Sequence, residues 1–309
     1  MSRLVWVPKD GLGLLGPPPG DLEFVAFPDD PASDPRLGDV QALVPPMGMG
    51  SSGPAGQLPM LWGRMPKLQL IQTLSAGVDW IVGGVPEGVV LCSARGGHDR
   101  PVAEWVLAAI LAGLKDLGGF RDDQLAERWE SRTVAPLEGA RVLLLGYGSI
   151  ARAVERRLEP FGPAIDRVAR HPRDGVNGWD ALPQLLRAND VVVVLLPLTS
   201  ETTGCVDADF LARMKPGALL VNAARGRLVD TDALLAALSE GRVRAVLDVT
   251  DPEPLPAGHP LWRAPGVLIT PHVAGLAPDW QATVYALVRD QLARWSGGEP
   301  LRNVVDAGY

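Results

Sequence analysis

The sequence predicts an α/β protein with a doubly wound parallel sheet and a smaller α/β unit ahead of it. Apolar runs without alternation, such as Val191 to Leu196, recur between helix-forming stretches, as strands covered on both faces require. A glycine-rich turn, Gly146-Tyr147-Gly148-Ser149-Ile150-Ala151, joins one such run to a helix-forming stretch. Turn residues are uneven: the first hundred residues hold 16 Gly and 13 Pro of the chain's 35 and 29, which sets a loop-rich N-terminal third apart.

Composition narrows the function classes. With 309 residues, 47% hydrophobic and 21% charged, the chain has enough apolar surface for two packed domains and is not disordered. Its longest apolar runs, Trp105 to Leu114 and Val191 to Leu198, fall well short of the ~20 residues of a membrane span. Met1 to Asp10 has no basic region followed by an apolar stretch, so no signal peptide is expected. Cys92 and Cys205 form neither a disulfide framework nor a metal-ligand pattern, which fits a reducing cytoplasm and no metal. A net charge of −7 without a clustered basic face argues against nucleic acid as the partner.

Strands are expected at Leu4 to Val7, Leu22 to Phe27, Val40 to Val44, Leu68 to Leu74 and Val89 to Cys92, each closed by Pro, Gly or Ser. Helical stretches are expected at Leu58 to Met65 and Val78 to Val82. From Pro101, at a first helical position, an apolar helix runs to Leu114. Strands Arg141 to Leu145, Ala164 to Ala169, Asp190 to Leu196, Ala218 to Asn222, Val243 to Val249 and Val267 to Thr270 then follow. Helices Ser149 to Glu159, Trp179 to Arg187, Ala208 to Met214 and Thr231 to Ser239 alternate with them. A last helix, Asp279 to Trp295, ends at Gly297-Gly298 and is expected to pack on the N-terminal unit. The predicted domains are 1–98 with 276–309, and 99–275.

The turn after the strand Arg141 to Leu145 points to a dinucleotide. Gly146 makes the tight bend, Gly148 lets a pyrophosphate reach the backbone, and Ala151 keeps the helix close to the sheet. The second strand ends Val168-Ala169-Arg170-His171-Pro172-Arg173, with no acid to accept from a ribose 2′-hydroxyl. Asp166 lies mid-strand, whereas Arg170 and Arg173 can pair with a 2′-phosphate, so NADP(H) is favoured over NAD(H).

Three further segments lie at strand C-termini: Asn222-Ala223-Ala224-Arg225-Gly226, Leu247 to Pro254, and Thr270-Pro271-His272-Val273-Ala274-Gly275. With Leu74-Ser75-Ala76-Gly77-Val78-Asp79, Val102-Ala103-Glu104, Leu196-Pro197-Leu198-Thr199 and the closing Gly298 to Val305, they make the chain resemble the D-2-hydroxyacid dehydrogenase family over nearly its whole length. That family includes glyoxylate/hydroxypyruvate reductases and phosphoglycerate dehydrogenases. The resemblance implies a Rossmann-type dinucleotide-binding domain and a flavodoxin-like α/β substrate domain, with the active site in the cleft between them. It places the family's catalytic Arg, Glu and His on Arg225, Glu253 and His272, and the substrate carboxylate on the Ser75-Ala76-Gly77 turn. It also implies cofactor contacts from Gly146, Tyr147, Gly148, Ser149, Ile150, Leu196, Pro197, Thr202, Ala223, Ala224, Arg225, Asp248, His272 and Ala274. A homodimer joined through the helix from Pro101 is expected on the same ground.

The chemistry agrees with those residue types. Reducing a 2-keto acid needs a hydride, a cation for the carboxylate and carbonyl, and a proton donor for the oxygen that becomes a hydroxyl. Arg225 offers planar bidentate donors, histidine is the side-chain type suited to proton exchange near neutrality, and a carboxylate such as Glu253 would orient His272. His98, His171 and His259 lie in polar, turn-like stretches and are expected at the surface. Met47, Met49, Leu74 and Trp129 are core candidates that alternatively line an apolar part of the substrate pocket. The sequence departs from the family where Ala151 replaces a third glycine, where Thr250 stands in place of a common aromatic, and where the acid after the second strand is missing. Two alternatives share the fold: a cofactor-dependent corepressor, which the acidic charge disfavours, and an NAD-dependent enzyme of the phosphoglycerate dehydrogenase kind. Formate dehydrogenases lack the Glu that Glu253 supplies.

Overall fold

The computed structural model describes residues 2–47 and 54–306, residues 54–57 by their backbone alone. The chain divides into two compact units, Met1–His98 with Ala277–Tyr309, and Asp99–Leu276.

In the first unit β1 (Arg3–Val7), α1 (Gly11–Leu15), β2 (Leu22–Ala26), β3 (Val40–Leu43), β4 (Leu70–Gln72) and β5 (Val90–Cys92) follow in order. The strands form one parallel sheet, β2-β1-β3-β4-β5. Alternate residues of β1 explain why both faces are covered: Trp6 joins Leu43 and Ile71 on one side, while Val5 and Val7 join Ala42 and Leu70 on the other. The second face is closed by the C-terminal helix Trp280–Gly297, which buries Val284, Tyr285, Val288 and Leu292 at helical spacing. α1 reaches that helix through Gly11, whose added Cβ would lie 2.5 Å from the Tyr285 ring.

Several expected elements differ here. Leu58 to Met65 belongs to a 3-10 helix, Pro54–Arg64, because Pro59 inside it has no N–H for an α-helical ladder. Val78 to Val82 makes only a turn, with Ile81 and Val82 both donating to the Val78 carbonyl, before a 3-10 turn Val82–Gly84 whose glycine pair supports no longer helix. The strand expected at Leu68 to Leu74 shortens to Leu70–Gln72. α1 was not foreseen.

The second unit contains α2 (Asp99–Leu114), α3 (Leu117–Leu125), β6 (Arg141–Leu145), α4 (Ser149–Leu158), β7 (Ala164–Val168), α5 (Leu182–Ala188) and β8 (Val191–Val194). α6 (Ala208–Arg213), β9 (Ala218–Asn222), α7 (Thr231–Ser239), β10 (Val243–Leu247) and β11 (Val267–Ile269) complete it. All six strands are parallel in the order β11-β10-β9-β8-β6-β7. Val191 and Val193 bury on the α2/α4 side, and Val192 and Val194 on the α5/α6/α7 side, so an unbroken valine run serves two cores. α2 comes within contact of the sheet at Gly113, where a Cβ would lie 2.5 Å from Leu219. α3, with two glycines and no apolar stripe, gave no helical signal in the sequence.

The register sets the site. Leu145 pairs with Val168 and Val194, Val194 with Asn222, and Leu247 with both Asn222 and Ile269, so the strands end level and their loops open on one edge. β7 lies to one side of β6 and β8 to the other, which makes the β6/β8 boundary the switch point where such sheets bind ligands.

Candidate active site

The turn after β6 lies at that switch point. Gly146 has φ +97°, and a Cβ there would sit 2.6 Å from the Leu195 carbonyl, so the tight bend requires glycine twice over. Gly148 precedes α4 at φ −95°, and a Cβ on it would meet nothing within 4 Å. That open space, bordered by the N-terminus of α4, is what a pyrophosphate requires. Ala151 is 1% exposed and holds α4 against the sheet. Ser149 donates through Oγ to Asp99 Oδ1 at 3.0 Å, and Ile150 packs on the core.

Tyr147 is fixed by residues that carried no signal in the sequence. Its hydroxyl donates to Glu155, which is 8% exposed and also accepts from Arg167 Nε at 3.0 Å. The Arg167 guanidinium holds the Glu155 carboxyl below its ordinary value despite burial, and burial with the nearby carboxylate pushes the Tyr147 phenol up. Arg173 donates from Nη2 to the Tyr147 carbonyl at 2.9 Å, with its Cζ 5.6 Å from the ring. Arg170 donates to Glu201 at 3.2 Å. In the loop after β8, Leu196 is buried and Pro197 exposed. There the Thr202 hydroxyl donates to the Pro197 carbonyl at 2.7 Å and accepts from Thr199 N–H at 2.8 Å, which shapes the loop.

The loops after β9, β10 and β11 carry the reactive side chains. Asn222 is fully buried at the end of β9; its amide oxygen accepts from Ala224 N–H at 3.0 Å and its amide nitrogen donates to the Arg225 carbonyl at 2.9 Å. Ala223, Ala224 and Arg225 are thereby held in a half-buried loop. Asp248, 2% exposed, accepts from Thr270 Oγ1 at 2.5 Å, Val273 N–H at 2.9 Å and Ala274 N–H at 2.8 Å. Three donors on one carboxylate clamp the loop that presents His272. The His272 backbone stands at φ +54°, a left-handed conformation uncommon for a side chain with a Cβ, and its N–H donates to the Asp248 carbonyl at 2.7 Å.

His272 Nδ1 lies 2.6 Å from Glu253 Oε1, with both side chains partly exposed at 48% and 40%. Nε2 has no partner among the described residues. Burial raises the Glu253 carboxyl, but the His272 ring, a backbone hydrogen bond at Thr250 and the Arg225 charge outweigh it, and the group ends below its ordinary 4.5. A depressed carboxylate stabilises the fold above its unfolded value and loses that contribution as pH falls through the folded one. Urea unfolding at descending pH is therefore expected to show Glu253→Gln losing less stability than wild type below 4.5. Parallel profiles would contradict the assignment.

In the first unit the Ser75-Ala76-Gly77 turn is half-buried, and none of its three N–H groups has an acceptor among the described residues. His98 is not at the surface as expected: it is 5% exposed, with Nε2 2.9 Å from the Leu74 carbonyl. The polar run Arg95-Gly96-Gly97 ahead of it carries no sign of this burial, which comes from the Trp280 ring stacked on the imidazole. His171 is exposed, and His259, partly exposed, accepts through Nδ1 from Leu261 N–H. Leu74 is core at 2% exposure, Met47 is 37% exposed, Trp129 is 99% exposed, and Met49 lies outside the described residues. A cavity of about 330 Å³ bordered by Ala140, Asp190, Lys215 and Arg244 lies at the opposite, N-terminal ends of the strands and is unrelated to these residues. No group of three metal-ligating side chains occurs among the described residues, and no helix there is long and apolar enough to cross a membrane.

Comparison with known proteins follows the same lines. Residues 107–274 match the family model for the D-isomer specific 2-hydroxyacid dehydrogenase NAD binding domain. Glyoxylate/hydroxypyruvate reductase A of Serratia proteamaculans (strain 568) is 32% identical over 259 residues, 79% of this chain and 82% of that protein. A D-isomer specific 2-hydroxyacid dehydrogenase of Xanthobacter autotrophicus Py2, solved with NADPH and MES, superposes with a TM-score of 0.84 at 31% identity, covering 100% of this chain and 99% of that one. The NADPH-dependent glyoxylate/hydroxypyruvate reductase of Sinorhizobium meliloti, solved with NADP and sulfate, gives a TM-score of 0.85 at 26% identity, covering 100% of both chains. The coenzyme turn, the arginine loop and the histidine–glutamate pair therefore stand in a chain that belongs to the D-isomer specific 2-hydroxyacid dehydrogenase family.

Proposed function

We propose that this chain reduces small 2-keto acids to D-2-hydroxy acids with NADP(H), guided by its similarity to family members named glyoxylate/hydroxypyruvate reductases. The observation that carries the reading is the 2.6 Å His272–Glu253 contact on a loop clamped by Asp248. The nicotinamide supplies the hydride when bound. The chain's own groups do the rest. Glu253 orients His272 through Nδ1, which leaves Nε2 to deliver a proton to the carbonyl oxygen as it becomes a hydroxyl. Arg225 provides the fixed cation that polarises the carbonyl and binds the substrate's negative charge. The N–H groups of Ser75, Ala76 and Gly77 are assigned to the carboxylate, since unpartnered donors on successive residues form an anion-binding concavity.

The test is loss of NADPH absorbance with glyoxylate, hydroxypyruvate and longer 2-keto acids, run against NADH in parallel, with chiral analysis of the glycerate formed. Turnover of none of the acids with either coenzyme overturns the reading and favours a binding role.

Arg170 and Arg173 support the coenzyme choice. Arg173 is already aligned by the Tyr147 carbonyl and ring, and Arg170 stands two residues past the end of β7. Hydrogen bonds to a charged group contribute ~1.5–3 kcal/mol, so replacing both with Ala is expected to raise the NADPH KM by roughly 10- to 100-fold or more. The NADH KM should barely change. Equal effects on both coenzymes would remove the arginines from the 2′-phosphate.

A homodimer fits the apolar side chains left outside the second unit's core: Leu117 at 56%, Leu125 at 67% and Trp129 at 99% exposure. Light scattering at micromolar protein is expected to give twice the chain mass, and a monomeric mass contradicts it.

A further inference from the structure

We propose that His98 is a positioning residue for the substrate carboxylate, holding the Leu74 carbonyl and thereby fixing the direction of the Ser75 N–H. The inference rests on the assignment of the Ser75–Gly77 turn to the carboxylate. His98 Nε2 lies 2.9 Å from Leu74 O. A carbonyl only accepts, so Nε2 carries the proton. The Trp280 ring stacks on the imidazole at 5.9 Å between centroids and 29° between planes, which fixes the ring's own orientation.

The link from carbonyl to N–H is covalent. Leu74 C=O and Ser75 N–H belong to one planar peptide group and point in opposite directions, so a donor that secures the oxygen also aims the hydrogen. The next peptide is treated in the same way: Ser75 O accepts from Thr73 Oγ1 at 2.8 Å and from Ala94 N–H at 2.9 Å, which aims Ala76 N–H. Ser75 Oγ, which receives the Trp80 indole N–H at 3.4 Å, donates to the Gly77 carbonyl at 2.7 Å and closes the turn. The carbonyls of Leu74, Ser75 and Gly77 are thus each tied to donors, while the N–H groups of Ser75, Ala76 and Gly77 are left for an anion. Of these ties, His98 is the one made by a residue distant in sequence through a titratable side chain.

Oxamate, an unreactive 2-keto acid analogue, tests this by calorimetry on the coenzyme-bound enzyme. His98→Leu keeps an apolar body against Trp280 and removes the donor; leaving a buried carbonyl unpaired is expected to weaken oxamate about 10-fold or more. His98→Gln, whose Nε2 reaches the same carbonyl, should restore binding to within about threefold, and both variants should bind coenzyme as wild type does. If His98→Leu binds oxamate as wild type does, or if His98→Gln loses as much as His98→Leu, the positioning role is overturned. Methyl pyruvate gives a second measurement: His98→Leu should raise the KM for pyruvate but not for its ester, and an equal rise for both overturns the role. Ala76→Pro deletes one N–H of the turn itself. If that variant, folded and coenzyme-competent, binds oxamate normally, the carboxylate assignment fails, and the His98 inference with it.

Discussion

His272→Asn is expected to bind coenzyme as the wild type does and to turn over roughly 10²- to 10⁴-fold more slowly, the range that a positioned acid or base contributes. Asparagine is chosen because it tolerates the left-handed φ of +54° that His272 adopts, so the loop clamped by Asp248 keeps its shape. Its amide still reaches toward Glu253, but it has no proton to exchange near neutrality. The loss should fall on kcat with the substrate KM little altered, because Arg225 and the bound anion are untouched. Steady-state kinetics together with a fluorescence titration of coenzyme separate the two effects. Turnover within about tenfold of wild type would mean that another group delivers the proton.

The element order was readable because the valine and leucine runs of the second unit are buried on both faces and leave no alternation to misread. Arg141–Leu145, Ala218–Asn222 and Thr231–Ser239 stand where the residues place them. The first unit was harder, since its strands are three to five residues long and the connections before β4 and β5 are 3-10 segments with Pro59 or Gly83-Gly84 inside. The candidate site shows a similar division. Gly146 is marked by its strand-turn-helix context, whereas Arg225, Glu253 and His272 are singled out by the family resemblance, to which their residue types conform. Asn222, Glu155, Arg167 and Thr270 act by distances across loops and neighbouring strands, and no spacing in the chain encodes those. His98 belongs with them: its neighbours are polar in sequence, yet the ring turns inward to a carbonyl 24 residues away.

Gly226→Ala is expected to abolish turnover and lower Tm sharply, whereas Gly148→Ala leaves Tm unchanged or raised while weakening coenzyme binding. The same methyl group is added in each case, and what it meets decides the outcome. At Gly226 a Cβ would lie 1.9 Å from the Thr250 carbonyl oxygen and 2.1 Å from its carbon. Both are backbone atoms, so no side-chain rotation relieves the clash. The Arg225 loop and the Thr250–Glu253 segment would have to separate, moving the cation and the carboxylate that share this site. A clash of this kind belongs with the rare substitutions costing more than ~4 kcal/mol. At Gly148 the Cβ meets no atom within 4 Å and φ is −95°, where alanine is unstrained. Replacing glycine there restricts the unfolded chain and stabilises by about 0.4–1 kcal/mol. The methyl would occupy the open space beside the N-terminus of α4, where the pyrophosphate is assigned. Thermal melts with and without coenzyme distinguish the two: Gly148→Ala should lose the coenzyme-induced rise in Tm, and Gly226→Ala should melt low in both. If Gly148→Ala keeps full coenzyme affinity, the pyrophosphate does not approach this backbone.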